Sequence, residues 1–377
     1  MLKRRLQEKI QKELFKGKAI IVYGPRQVGK TTLMKQIIED NKDKKSKYFN
    51  CENISVQDSL EKPESSELKE FLGDVDLVVL DEAQVFKNPG LIIKLIVDTY
   101  PEIQILATGS SSFDLANKLG EPLVGRAFQY KLYPFSIDEL IDSGEDAISM
   151  KSKIEKILRF GLYPEVFLAK DSEGSSLRID EISSGYLLKD ILIFEGIKKS
   201  EVVVKLLKLL ALQLGNEVSY DELAKTLSID KKTVEKYIGI LEKCFIVFRV
   251  GALSRNLRNE ISKGIKVYFY DIGIRNSLIQ NFNKMEIRND IGAIWENFCI
   301  LERLKYLHYN NIGANIYFWR TYSQKEIDYI EERSGKIFAY EIKWGRGKIA
   351  NPKEFIEAYP NSQFEVIDKE NYLSFVS

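Results

Sequence analysis

The chain reads as an α/β protein of several modules: a parallel-sheet core first, helical and helix-turn-helix segments next, and a second α/β domain last. Three stretches predict this. Ile20–Leu33 (IIVYGPRQVGKTTL) passes from an apolar strand through a glycine-bounded turn into a helical pattern. Asp76–Glu82 (DLVVLDE) is a short apolar run closed by two carboxylates, as expected of a strand buried on both faces. Asn315–Lys343 gives three strand-like runs in close succession. The length, 377 residues, allows two or three domains.

Composition narrows the class. Hydrophobic residues at 44% and charged residues at 29% are ordinary for a globular protein with ample core. The net charge of +1 gives no global pull toward nucleic acid or membrane, so any such binding must come from local patches. No apolar run approaches the roughly 20 residues that span a bilayer, and no membrane partner is expected. The N-terminal MLKRRLQEKIQKELF is basic and amphipathic without a continuous apolar stretch, which predicts a helix before the first strand rather than a secretory signal. Cys51, Cys244 and Cys299 are scattered, fitting a reducing cytoplasm and neither a disulfide frame nor a zinc site. The single histidine, His308, excludes multi-histidine metal centres. Chemistry here must rest on carboxylates, lysine, arginine and hydroxyls.

The first element is G-x-x-x-x-G-K-T in its required setting of strand, loop and helix. Gly24, Pro25, Arg26, Gln27, Val28, Gly29, Lys30, Thr31 and Thr32 form a cradle for phosphates. Its glycines let backbone N–H groups close on phosphate oxygens, and the following helix adds the positive end of its dipole. Lys30 can reach the β- and γ-phosphates, and the Thr31 hydroxyl can ligate Mg²⁺. A helix over Thr31–Asp40, a polar turn and a short strand at Tyr48–Asn50 follow. The strand Asp76–Asp81 comes about fifty residues after the loop. Ending in Asp-Glu, it marks the additional-strand, catalytic-glutamate class of nucleotide hydrolases. Asp81 would hold Mg²⁺ directly or through water, and Glu82 would orient and deprotonate the attacking water; an acidic helix cap is the alternative. Strand Ile103–Ala107 runs into Thr108-Gly109-Ser110-Ser111-Ser112, where Thr108 and Ser110 are candidates to touch the γ-phosphate or the lytic water. A cap for a helix over Ser111–Leu119 is the other reading. Arg126, just before the last strand of the core, is placed to reach a neighbour's γ-phosphate, which would require a homo-oligomer; a structural salt bridge is its alternative.

GPRQVGKTT, LDEAQ, ATGSSS, LVGRAFQYKLYPFSIDEL and GLYPEVF together resemble the prokaryotic AAA-type ATPases that carry a C-terminal domain labelled DUF4143. The resemblance extends over essentially the whole chain. It implies an AAA-like core over residues 1–134 with ATP on Gly24–Thr32, Mg²⁺ as its companion, Asp81 and Glu82 as the second motif, Ser110 near the sensor position and Arg126 as a finger.

Residues 135–195 read as a helical lid. Ser136 with Glu139 makes a capping-box pattern, a second helix over Ser152–Phe160 ends at Gly161, and Ser176–Lys198 is largely helical. Arg159 is a weaker candidate for a second sensor than for an ordinary surface arginine. Residues 196–262 predict a winged helix. An apolar helix over Val202–Leu214 precedes Ser219–Leu227, a tight turn and a helix over Lys231–Cys244. Ile246–Val250 is a wing strand, and Arg255 and Arg258 are its basic hairpin. Lys231, Lys232 and Lys236 face outward, suited to phosphates and not to base edges, so DNA is the expected partner through residues 219–258. Protein contacts are the competing use.

Residues 263–377 give a strand at Lys266–Phe269, a helix over Asp290–Leu307 carrying Glu296, three strands, a helix and a last strand. Asp328 followed by Glu341-Ile342-Lys343 reads D…E-x-K, and strand alternation puts Glu341 and Lys343 on one face. Asp328 one strand away, with Glu296 from the helix, would complete an acidic metal cluster, and Lys343 would stabilise charge during phosphodiester cleavage. This resembles the PD-(D/E)XK nuclease fold, with Ile327 where that pattern has proline. The function expected is an ATPase acting on or with DNA. The alternative is an ATP-dependent switch or scaffold for protein partners, its nuclease-like domain inactive.

Overall fold

The computed structural model describes residues 2–61, 65–110, 123–187, 200–254, 264–321, 325–345 and 352–377. The expected helix over Ser111–Leu119, the hairpin arginines Arg255 and Arg258, and the end of the segment Ser176–Lys198 lie outside the described residues. The chain divides into two units. One takes Met1–Pro134 with Lys243–Phe245, the other Phe135–Glu242 with Ile246–Ser377.

The first unit is built on strands β1 (Ala19–Tyr23), β2 (Ser46–Asn50), β3 (Leu77–Asp81), β4 (Gln104–Gly109) and β5 (Ala127–Lys131), in the order β2-β3-β4-β1-β5. Every neighbouring pair is parallel. β4 therefore separates β1 from β3, which is the additional-strand arrangement. β3 and β4 are buried along their whole lengths, as continuous apolar strands in a covered parallel sheet must be. Their side chains pack with those of Pro89–Thr99 and Ile54–Glu61 into one core that includes Val78, Leu80, Ile93, Ile96 and Ile105. The pairings Val22↔Thr108, Leu80↔Ala107 and Asn50↔Asp81 bring the carboxyl ends of four strands to one edge, the edge where open α/β sheets hold ligands. β4 runs two residues beyond the apolar stretch that marks it in sequence, so Thr108 belongs to the strand. Helix α1 (Arg5–Glu13) precedes β1, burying Leu6 and Ile10 on one stripe. Helix α2 (Lys30–Asp40) follows the phosphate loop.

In the second unit the capping box forms as patterned. Ser136 Oγ accepts from the Glu139 amide at 3.2 Å, and Glu139 Oε2 accepts from the Ser136 amide at 3.0 Å. A helix over Ala147–Phe160 ends at Gly161, whose φ of 84° favours glycine. Helices Tyr220–Leu227 and Lys231–Lys243 are joined through Ser228 in the left-handed region. The remaining strands are β6 (Glu217–Val218), β7 (Val247–Ala252), β8 (Ile265–Phe269), β9 (Asn315–Arg320), β10 (Glu326–Arg333), β11 (Lys336–Ile342) and β12 (Ser362–Ile367). They make one seven-stranded sheet in the order β12-β11-β10-β9-β7-β8-β6. Val247 pairs with Phe269 and Gly251 with Tyr317, so strands assigned in sequence to a wing and to a terminal domain share a single sheet. Burial of Val247, Phe248 and Val250 explains the joining, because an apolar strand such as β7 cannot stand as an exposed edge. Among the described residues no helix is long and apolar enough to cross a membrane.

Candidate functional site

The phosphate loop leaves β1 at Gly24, where a Cβ would lie 2.1 Å from the Leu132 carbonyl oxygen, so no side chain fits. Gly29 closes the loop at φ 92° and caps α2, a conformation glycine adopts without penalty. Lys30 is buried, and its ammonium donates to the loop's own carbonyls at Gly24 (3.0 Å) and Pro25 (2.9 Å). The cation thus waits at the loop mouth.

Asp81 at the end of β3 is encircled by hydroxyls. Thr31 Oγ1 donates to Asp81 Oδ2 at 2.7 Å, Tyr48 donates to the same oxygen, and Thr108 donates to the other. Burial and the Asp81 carboxylate both push the Tyr48 phenol upward, keeping it a donor. Thr108 also accepts from the Glu82 amide at 3.0 Å. Glu82 itself has φ 58°, a left-handed conformation that costs a non-glycine residue on the order of 1 kcal/mol and gathers at functional turns. Gln84 joins Glu82 to Ser110: its amide nitrogen donates to Glu82 and, at 3.1 Å, to Ser110 Oγ, while the Ser110 amide donates back at 3.3 Å. The structure therefore brings Lys30, Thr31, Asp81, Glu82, Thr108 and Ser110 to one edge. It adds Tyr48 and Gln84, neither of which the sequence reading singled out. Gln84 was legible as the last residue of LDEAQ; Tyr48 becomes visible only through the β2–β3 pairing.

This donor set fits a nucleoside triphosphate with Mg²⁺. A hydroxyl and a carboxylate converge as Mg²⁺ ligands do, and glycine stands at both ends of the loop, favoured at Gly24 by the close Leu132 carbonyl and at Gly29 by a φ of 92°. Arg126 lies at the opposite edge of the sheet, since Ala127 pairs with Ala19 at the start of β1. Its Nε donates to Asp98 Oδ1 at 2.6 Å, with both side chains about 40% exposed. That is the salt-bridge alternative realised within one chain, at a place that rules out contact with the same chain's phosphates. In the second unit Arg159 is half-buried: its Nε donates to the Phe282 carbonyl at 2.9 Å, and its guanidinium lies 3.6 Å from Glu155 Oε1.

The second constellation lies on β10 and β11. The register Tyr329↔Tyr340 puts Asp328 opposite Glu341. Asp328 Oδ2 accepts from the Ile342 amide at 2.8 Å, and Lys343 Nζ stands 2.6 Å from Glu341 Oε1 and 4.0 Å from Asp328 Oδ2. Burial raises the affinity of both carboxyls for protons, and for Glu341 the Asp328 charge adds to it. The other Glu341 oxygen is buried without a hydrogen-bond partner, and the residue is one of those lining a cavity of about 680 Å³ with Trp319, Lys325, Glu326 and Phe355.

Glu296 does not join this pair as a free third carboxylate. It is taken by β8: Lys266 Nζ lies 2.9 Å from Glu296 Oε1 and the Tyr268 hydroxyl donates to that oxygen at 2.5 Å. Lys266 also reaches Glu326 Oε1 at 2.5 Å and is 1% exposed. Burial pushes the Glu296 carboxyl up to about 7 despite the ammonium beside it. Among the described residues no group of three acidic, histidine or cysteine side chains is arranged to hold a metal ion. A three-carboxylate metal site therefore does not fit here, because a resident cation already neutralises its third member. On the helix Lys231–Lys243, Lys232 and Lys236 are exposed, and Lys231 pairs with Asp221 at 2.7 Å.

Comparison with known proteins divides the chain in three. Residues 16–141 match the model of an AAA domain, residues 151–285 a domain of unknown function (DUF8612), and residues 291–375 a domain of unknown function (DUF4143). The chain is 26% identical over 339 residues to the uncharacterized protein Rv2008c of Mycobacterium tuberculosis, covering 89% of this chain and 72% of that one. It is 26% identical to the uncharacterized protein MJ1637 of Methanocaldococcus jannaschii, covering 72% and 65%. Among solved structures it is similar to the Walker-type ATPase PABY2304 of Pyrococcus abyssi, with a TM-score of 0.48, 17% identity and coverage of 74% of this chain and 96% of that one.

Proposed function

We propose that this chain binds and hydrolyses ATP at the carboxyl edge of β1, β3 and β4, and that its second unit directs this turnover to DNA. The observation that carries the first part is the 2.7 Å contact of Thr31 with Asp81, flanked by Lys30 on the loop and Glu82 on the next residue. Bound Mg²⁺, held by Thr31 and Asp81, would neutralise charge on the β- and γ-phosphates. The chain's own residues do the rest. Lys30 exchanges two loop carbonyls for phosphate oxygens. Tyr48 and Thr108 hold the Asp81 carboxylate in place. Glu82, kept in its turn by Thr108 and Gln84, accepts the proton of the attacking water. Ser110, tied to the same glutamine, serves as the sensor. Arg126 reaches the phosphates of a neighbouring copy after releasing Asp98, which makes the active form a homo-oligomer; sedimentation velocity with ATP and Mg²⁺ showing only monomer would refute this. The three cysteines are buried and form no disulfide among the described residues, which suits a cytoplasmic setting.

The DNA reading is supported by the paired helices Tyr220–Leu227 and Lys231–Lys243 with exposed Lys232 and Lys236 on the second. The pairing of Glu296 with Lys266 favours the alternative for the terminal domain, a nuclease-like frame without metal-dependent cleavage.

Steady-state phosphate release tests the first part. Lys30→Ala and Glu82→Gln each remove turnover, while Glu82→Gln still binds ATP; unimpaired turnover in both overturns the reading. Fluorescence anisotropy with duplex DNA tests the second. Retention should fall with salt and be lost in Lys231→Ala/Lys232→Ala/Lys236→Ala. No binding by wild type at low salt leaves an ATPase that serves a protein partner.

A further inference from the structure

The phosphate loop is gripped by a residue outside the AAA-domain match, which begins at residue 16. Arg4 stands just before α1 and is 4% exposed. One guanidinium nitrogen donates to the Val28 carbonyl of the loop at 2.7 Å, the other to the Tyr133 carbonyl beyond β5 at 2.6 Å. The first nitrogen also lies 3.7 Å from where a Gly29 Cβ would be. The two carbonyls come from segments that are far apart in sequence, and one planar fork ties them together.

The reason for a cation here follows from the loop. Turning backbone N–H groups inward toward a phosphate turns carbonyls outward, and a buried carbonyl needs a donor. Arginine supplies several donors in a fixed plane and keeps its charge when buried. Helix α1 is fastened farther along as well. Gln7 Nε2 donates to Asp40 Oδ2 at 2.6 Å and Asn41 Nδ2 donates to Gln11 Oε1 at 3.1 Å. The N-terminal helix therefore holds the loop at one end of α2 and the end of α2 at the other.

We propose that Arg4 is a positioning residue for the nucleotide, which fixes the phosphate loop in its ligand-accepting shape before the triphosphate arrives. The proposal rests on the ATPase reading for its kinetic consequence. A loop that must be ordered on binding loses affinity, whereas turnover of the bound complex is spared. Arg4→Met deletes both hydrogen bonds, and losing the one to the loop carbonyl should raise KM for ATP by about tenfold, or about 1.4 kcal/mol. Turnover at saturation should stay within about threefold. Arg4→Lys, which can satisfy one carbonyl at a time, should recover part of the loss. A KM unchanged in Arg4→Met overturns the proposal. So does an equal fall of KM-independent turnover and melting temperature in both variants, which would mark a purely structural contact. Amide hydrogen exchange of the ligand-free protein separates the two readings: Arg4→Met should speed exchange across residues 24–30 while β3 and β4 stay protected. If wild type binds no nucleotide, the ATPase reading fails, yet this exchange difference still decides whether Arg4 orders the loop.

Discussion

Removing Lys266 should be among the most damaging single changes to the second unit. Lys266→Met keeps the length and apolar stem of the side chain and deletes only the ammonium. That ammonium lies 2.9 Å from Glu296 and 2.5 Å from Glu326, and it is 1% exposed. Breaking a buried pair by deleting one partner costs about 3–5 kcal/mol, because the other partner is left as an uncompensated charge. Here two carboxylates are left, with Asp328 adding to their repulsion. Glu296 can limit the damage by taking a proton, because without the ammonium its carboxyl rises above the value near 7 that it has beside Lys266; the loss is thus expected to be larger at pH 8 than at pH 5. Urea unfolding followed by tryptophan fluorescence measures this cleanly. All three tryptophans, Trp295, Trp319 and Trp344, lie in the second unit. Lys266→Met/Glu296→Gln should regain part of the loss, with a coupling of about 0.5–3 kcal/mol. A loss under about 1 kcal/mol at pH 8, far below what an orphaned buried charge costs, would refute the claim that Lys266 is the cluster's resident cation.

Two further outcomes follow from the same geometry. Glu296 binds its proton more tightly when folded, at about 7 against an ordinary 4.5, so its contribution to stability is complete below pH 4.5 and is lost as pH rises through 7. The difference corresponds to about 3 kcal/mol, and Glu296→Gln should flatten that part of the stability-against-pH curve; an unchanged slope would assign the titration to other groups, such as Asp271, whose carboxyl burial pushes up to about 6. Gln84→Ala frees Glu82 from Ser110 and should lower kcat about tenfold with KM for ATP within twofold, the loss of a hydrogen bond to a charged group; unaltered turnover would mean that Thr108 and the backbone orient Glu82 unaided.

Local pattern carried most of the first unit. The phosphate loop, the buried strand ending in Asp81-Glu82 and the polar end of β4 each announce themselves within a few residues, and their parallel pairing follows from their apolar runs. Tyr48, Gln84 and Arg4 were harder to see for a shared reason. Their roles depend on which strand lies beside which, or on partners far along the chain: Arg4 meets Val28 and Tyr133 across 24 and 129 residues. In the second unit the D…E-x-K pattern put Asp328 beside Glu341 because an antiparallel pair with a tight turn fixes its register locally. Glu296 was harder, since helix periodicity shows only that it faces inward. What it faces is β8, and nothing near Lys266 in sequence says that its ammonium enters an acidic cluster.

The two acidic sites differ in what satisfies them, and the difference predicts what each accepts. Asp81 is held by the hydroxyls of Thr31, Tyr48 and Thr108. Hydroxyls are neutral and rotate, and Thr31 can turn its lone pairs toward a cation while its carboxylate neighbour does the same. None of these three hydroxyls carries charge, so they leave the negative charge of Asp81 in place for a cation. Glu296 and Glu326 are held by an ammonium on a buried strand. Lys266 cannot leave without unfolding its surroundings, and a metal ion entering beside it would meet like charge at short range in a poorly screened interior. The two sets of carboxylates thus have opposite fates: the first is poised for exchange with the ion that accompanies a nucleotide, and the second already holds the ammonium of a side chain of its own sheet.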